Sequence, residues 1–252
     1  MRILLLNPNT SAGVTDRMCA VARAVAAPST EIVPLTAPRG VPYIATRAEA
    51  LIGAAVALEM LAEAQAGIDA AIVAAFGDPG LGGLRELASV PVIGLAEAAM
   101  LTACMLGRRF AIVSFARALG PWYEECVEWH GLRSRLAAIR LADAAFASVT
   151  SVQDEMADAI VEVANRAVAE DGADVVILAG APLAGLAGRI ADRVPVPLVD
   201  GVAAAVRQAE TLVCLRPRKA SAGSYRRPDP KPSQGLPGAV ARLLGGADPK
   251  GS

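Results

Sequence analysis

Asp69-Ala-Ala-Ile-Val-Ala-Ala75 and Asp174-Val-Val-Ile-Leu-Ala-Gly180 decide the fold. Each is an acidic residue followed by an unbroken apolar run that ends in small residues. Such a run, bounded by turn residues, reads as a strand buried on both faces of a parallel sheet. The two lie 105 residues apart, from position 69 to position 174. Each leads into a Gly/Pro-rich turn, a short helix and then Val-Pro-Val, at 90–92 and 194–196. Residues 2–7, Arg-Ile-Leu-Leu-Leu-Asn, have a similar echo in Arg-Phe-Ala-Ile-Val-Ser at 109–114, an offset of 107. Repetition of strand, turn, helix and strand in one order predicts two similar α/β halves.

Working outward, strands are predicted at 2–6, 31–35, 70–75 and 90–95. Helices are predicted at 47–66, from residue 84, and after a cap at Asn9 or Ser11, where Val14, Met18, Val21 and Val25 share one face. The fold class is therefore α/β. Two pseudo-symmetric halves each carry a mostly parallel sheet flanked by helices, with the active cleft between them. The expected boundaries are 1–105 and 106–215. A Pro-rich, basic segment, 216–252, holds eight Lys/Arg against two Asp/Glu and six prolines. It is expected to pack back on the domain with a short helix near 236–244, and its last residues, 245–252, to be mobile.

The 252 residues are 54% hydrophobic and 4% aromatic, so the core is Ala, Val, Leu and Ile. The formal net charge of −1 excludes a broad basic face for nucleic acid. The longest apolar stretch, 175–188, is too short for a membrane span and contains Pro182. Cys19, Cys104, Cys126 and Cys214 show no paired spacing, which predicts free thiols in a cytoplasmic protein, each a small buried hydrophobe. One histidine and scattered cysteines give no structural zinc spacing, so no metal is expected. Ala/Leu-rich helices predict a homo-oligomer.

Ligands in open α/β sheets bind beyond the C-terminal strand ends. Asn7-Pro8-Asn9-Thr10-Ser11 stands at one such end, where backbone N–H groups and polar side chains suit a carboxylate or carbonyl. A plain capped turn is the alternative. Phe76-Gly77-Asp78-Pro79-Gly80-Leu81 stands at another. Asp78 is read as a cap of the following turn, or else as a general base. His130, in Glu128-Trp129-His130-Gly131, is expected at a helix C-terminus as a surface residue.

Asn7-Pro-Asn-Thr-Ser11, Phe76-Gly-Asp-Pro-Gly-Leu81 with Arg85-Glu86, Pro91-Val-Ile-Gly94 running into Ala96-Glu97-Ala98, and Leu106-Gly-Arg-Arg-Phe110 resemble the aspartate/glutamate/hydantoin racemase superfamily. Among its members the hydantoin and allantoin racemases are the most similar. The resemblance spans about residues 1–240 and implies a cofactor-independent isomerase. In such enzymes each half supplies one cysteine, and the two thiols flank the substrate Cα. Here the matching positions are Ala75 and Gly180, followed by Ala181-Pro182. Neither residue can carry a proton, so two-thiol racemisation does not follow.

The expected activity is isomerisation at a carbon next to a carbonyl of a small amino-acid, hydantoin or carboxylate substrate, by non-cysteine groups. The alternatives are a decarboxylase-type reaction through an enolate, as in the arylmalonate-decarboxylase branch, and an inactive binder. Asp78, Tyr43 and Ser114 are the candidate proton carriers. Asn7, Asn9, Thr10, Ser11, Ala75, Phe76, Gly77, Gly180 and Ala181 are the candidate substrate-binding residues.

Overall fold

The computed structural model describes residues 1–142, 147–148 and 150–246. In the first half, β1 (Arg2–Asn7), β2 (Glu31–Thr36), β3 (Ala70–Val73) and β4 (Val92–Gly94) form one parallel sheet in the order β2-β1-β3-β4. In the second, β5 (Phe110–Ser114), β6 (Leu136–Leu141), β7 (Val175–Leu178) and β8 (Leu198–Asp200) form another, ordered β6-β5-β7-β8. The two orders are the same, as the repeat requires.

The helices are α1 (Ala12–Val25), α2 (Arg47–Ala64), α3 (Leu81–Leu87), α4 (Leu95–Leu106), α5 (Gly120–Trp129), α6 (Val152–Asp171), α7 (Leu186–Ile190), α8 (Gly201–Leu215) and α9 (Gly238–Leu244). Ser11, not Asn9, caps α1, its Oγ accepting from Val14 N at 3.4 Å. Thr46 and Glu49 form a reciprocal capping box at the start of α2. Helix α3 begins at Leu81 rather than 84, because Gly80 at φ 79° turns the chain directly into it. Strands β3 and β4 are shorter than expected, since the chain leaves the sheet at the site turns.

Period-two side-chain alternation explains the layering. Ile3, Leu5, Ile72, Phe110, Ile112, Val175 and Ile177 face one shared core, together with the Ala-rich sides of α4 and α8. Leu4, Leu6, Ala71 and Val73 face a separate cluster under α2 and α3. Ala111, Val113, Val176 and Leu178 face a third, under α6 and α7. Each sheet is thus covered on both sides, which is why its strands read as unbroken apolar runs. No helix is long and apolar enough to cross a membrane among the described residues.

Three contacts run from the C-terminal segment to the first half. Arg227 donates to Ser89 Oγ at 2.8 Å, Lys219 Nζ contacts Arg85 O, and α9 packs on α2. Residues 247–252 lie outside the described part. The cysteines are unpaired: Cys19 and Cys126 are buried, but Cys214, on α8, is exposed, contrary to expectation.

Candidate active site

Strand order reverses beside β1 and beside β5, whose neighbours leave in opposite directions. The crevice at that reversal lies beyond the C-terminal ends of β1 and β3, and of β5 and β7. On the first side Asn7 is fully buried and builds the turn rather than facing a ligand. Its Nδ2 donates to Asn9 Oδ1 at 3.0 Å, to Thr15 Oγ1 at 2.9 Å and to Ser11 O at 3.2 Å. Thr10 N donates to Val41 O at 2.9 Å and so anchors the loop that carries Tyr43.

A cavity of about 20 Å³ joins the two halves. Asn9, Ala75 and Phe76 line it from the first half; Gly180, Ala181 and Pro182 line it from the second. Tyr43 and Ile44 cover it from their loop, and Trp122 and Tyr123 close it from α5. That volume holds about one water molecule. The aromatic walls interlock: Phe76 meets Tyr123 edge-on at 4.9 Å between centroids, and Tyr43 lies 5.6 Å from Phe115. Gly77 is required by close approach, because a Cβ there would stand 2.4 Å from the Trp122 ring. Gly180 has φ 109°, and a Cβ on it would stand 2.9 Å from Phe115, 3.6 Å from Tyr123 Oη and 3.7 Å from Ser114 Oγ.

Both tyrosines line this cavity, and the Tyr123 hydroxyl lies beside Gly180. Burial pushes the Tyr123 hydroxyl well above its ordinary pKa, and a hydrogen bond with Ser114 offsets only part of that. Burial, with a smaller contribution from Glu49, also raises Tyr43. Tyr43 Oη is buried without a hydrogen-bond partner. Ser114 Oγ donates to Ala179 O at 2.7 Å and is wholly buried.

Asp78 points elsewhere. It holds φ 51°, unusual for a residue with a side chain, and turns its carboxylate into the N-terminus of α4. Oδ1 accepts from Ala96 N and Oδ2 from Glu97 N, both at 2.8 Å. It therefore caps α4, not the turn that follows it in sequence. In the second half Asp200 does the same for α8 from the end of β8, accepting from Val202 N at 2.9 Å and Ala203 N at 3.0 Å.

His130 is the C-cap of α5, but its side chain is only 5% exposed, so it is not the surface histidine expected. Nε2 lies 3.1 Å from Asp78 Oδ2 and Nδ1 lies 3.6 Å from Glu97 Oε1. Arg85 grips the same Glu97 through both of its terminal nitrogens. Burial alone would lower the His130 pKa, but hydrogen bonds and attraction from Asp78 and Glu97 outweigh it and push it up to about 9. Burial would raise Glu97; His130 and Arg85 outweigh it and bring that pKa down to about 2. His130 is thus held between Asp78 and Glu97, with Arg85 behind Glu97.

Trp122 separates the inner cavity from an outer groove of about 520 Å³, bordered by Gly77, Asp78 and Cys126, with the Arg47–Glu125 ion pair at its rim. Another recess, of about 360 Å³, lies between β4 and the C-terminal segment and shares no residue with the cleft.

The Asp/Glu/hydantoin racemase family matches residues 3–209. The chain belongs to that family. Allantoin racemase from Pseudomonas fluorescens is 37% identical with a TM-score of 0.88, the match covering 93% of this chain and all of that one. Allantoin racemase from Klebsiella pneumoniae is 36% identical with a TM-score of 0.89, covering 95% and 98%. Hydantoin racemase from Paenarthrobacter aurescens is 34% identical over 233 residues, 92% of this chain and 99% of that protein.

For this racemase-family member, the cavity gathers Asn9, Tyr43, Ala75, Phe76, Gly180 and Ala181. Asn7, Thr10, Ser11, Gly77, Asp78 and Ser114 stand behind or beside it. Sequence reasoning missed Trp122 and Tyr123. A signal was present: they follow Pro121 at the start of the helix after β5, the counterpart of the Asn9–Ser11 turn after β1.

Proposed function

We propose that this racemase-family protein is a cofactor-independent isomerase whose proton carriers are the phenols of Tyr43 and Tyr123 instead of two thiols. Its substrate is a small cyclic amide of the hydantoin or allantoin kind, the compounds its relatives are named for. One observation supports the reading: Tyr43 and Tyr123 both line the cavity that Ala75 and Gly180 border from opposite halves. Removal of the proton next to the carbonyl would leave an enolate in this cavity. A phenol returns a proton to that enolate readily, but removes one only as phenolate. Burial makes phenolate scarce at neutral pH, so exchange is expected to rise with pH across the neutral-to-alkaline range.

The test is deuterium uptake from solvent at the stereogenic carbon of hydantoins and allantoin. Tyr123→Phe and Tyr43→Phe are each expected to lower it by about 100- to 10,000-fold, the usual contribution of a general acid or base. Iodoacetamide is expected to modify the exposed Cys214 and leave exchange intact. Exchange that survives both tyrosine substitutions overturns the assignment. The raised phenol pKa values also favour a second reading, a ligand binder without turnover, which binding without isotope exchange would establish.

The same proposal places the protein in the cytoplasm as a homo-oligomer. Supporting this, the four cysteines are unpaired, and Met105, Leu106 and Leu215 are exposed at the ends of α4 and α8.

A further inference from the structure

Cys126 and His130 are four residues apart on α5, so they share one face of that helix. Both meet Asp78. A carboxylate oxygen of Asp78, Cys126 Sγ and a ring nitrogen of His130 all lie within 4.8 Å of one another. Tetrahedral zinc, with ligand bonds of about 2.0–2.3 Å, spaces its donors about 3–4 Å apart. A small contraction therefore closes the set, and Asp78 Oδ2 and His130 Nε2 are already 3.1 Å apart.

The surroundings are those a metal site needs. Glu97 stands behind the other nitrogen of His130 and is itself held by Arg85, the carboxylate support usual for a ligating histidine. Asp78 is aimed by Ala96 N and Glu97 N. The outer groove, bordered by Asp78 and Cys126, supplies an entry path and room for a water as fourth ligand.

We propose that Asp78, Cys126 and His130 bind one divalent transition-metal ion, of the zinc type that suits a mixed sulfur, nitrogen and oxygen donor set. Ligation requires the Cys126 thiolate and an unprotonated His130 nitrogen, so any protons they carry leave to solvent as the ion enters. The ion ties α5, which carries Trp122 and Tyr123, to the turn that follows Phe76. The site is independent of the tyrosine chemistry above.

The test uses the reduced, full-length protein, stripped by chelation and titrated with cobalt(II). One equivalent is expected to bind with the visible bands of tetrahedral cobalt and a thiolate-to-cobalt charge-transfer band, both displaced by zinc. Cys126→Ser is expected to lose the charge-transfer band and Cys214→Ser to keep it. Glu97→Gln is expected to weaken binding by about 10- to 100-fold, with circular dichroism confirming that each variant is folded. If the unaltered protein shows no stoichiometric tetrahedral thiolate spectrum, the site does not exist. A charge-transfer band that persists in Cys126→Ser, or vanishes in Cys214→Ser, equally overturns it.

Discussion

Gly94 lacks a side chain because the Asp78 carboxylate occupies that space: a Cβ at Gly94 would stand 2.3 Å from Asp78 Oδ2. The counterpart in the second half, Asp200, supplies the capping carboxylate from the strand end itself. One acidic group per half thus satisfies the N-terminus of its long helix, from the turn in one case and from the strand in the other. Gly94→Ala is expected to expel the Asp78 side chain, uncapping α4 and breaking the contact to His130. The expected loss is about 1–3 kcal/mol, typical of overpacking a filled site, read from urea denaturation. A variant as stable as the parent would show that Asp78 relaxes freely. Gly180 is constrained in the same way by its φ of 109° and by Phe115 at 2.9 Å from a would-be Cβ. These constraints oppose any side chain at 180, a thiol included.

At the scale of elements, α8 belongs by chain to the second half yet packs on α1, β3 and β4 of the first. Glu210 fixes it there, accepting from Ala27 N and Thr30 Oγ1, both at 2.7 Å. Burial would raise the Glu210 pKa, but these bonds and Arg207 outweigh it and hold it below the ordinary carboxylate value. A folded-state pKa below the unfolded one stabilises the protein above the unfolded value of about 4.3. That stability is lost as pH falls through the folded-state pKa. Glu210→Gln is therefore expected to lower stability at pH 7 by about 1.5–3 kcal/mol, the worth of hydrogen bonds to a charged group. The gap should narrow as both proteins are taken to lower pH. Thermal unfolding of the pair between pH 7 and pH 3 measures it, and a gap that widens in acid would contradict this sign.

At the scale of the molecule, two sheets of equal strand order enclose one shared core, and the cavity opens where their C-terminal ends meet. The apolar ends of α4 and α8 stay exposed, and self-association would cover them. Light scattering of dilute protein is expected to give a multiple of the 25.7 kDa chain mass; a value at that mass would refute assembly. The two halves, the parallel strands and the strand-end turns were legible in the sequence. Buried strands, helix caps and glycine turns are local patterns, and the repeat at 69–75 and 174–180 shows them twice. What fills the cleft was not legible. Trp122 and Tyr123 reach Phe76 and Gly77 from the opposite half, and His130 finds Asp78 across 52 residues of chain. Local periodicity records which face of an element is apolar, but carries no information about which distant element will face it. Only the packing of α5 against the Phe76–Gly80 turn decided that His130 is buried against Asp78 and that Trp122 and Tyr123 line the cavity.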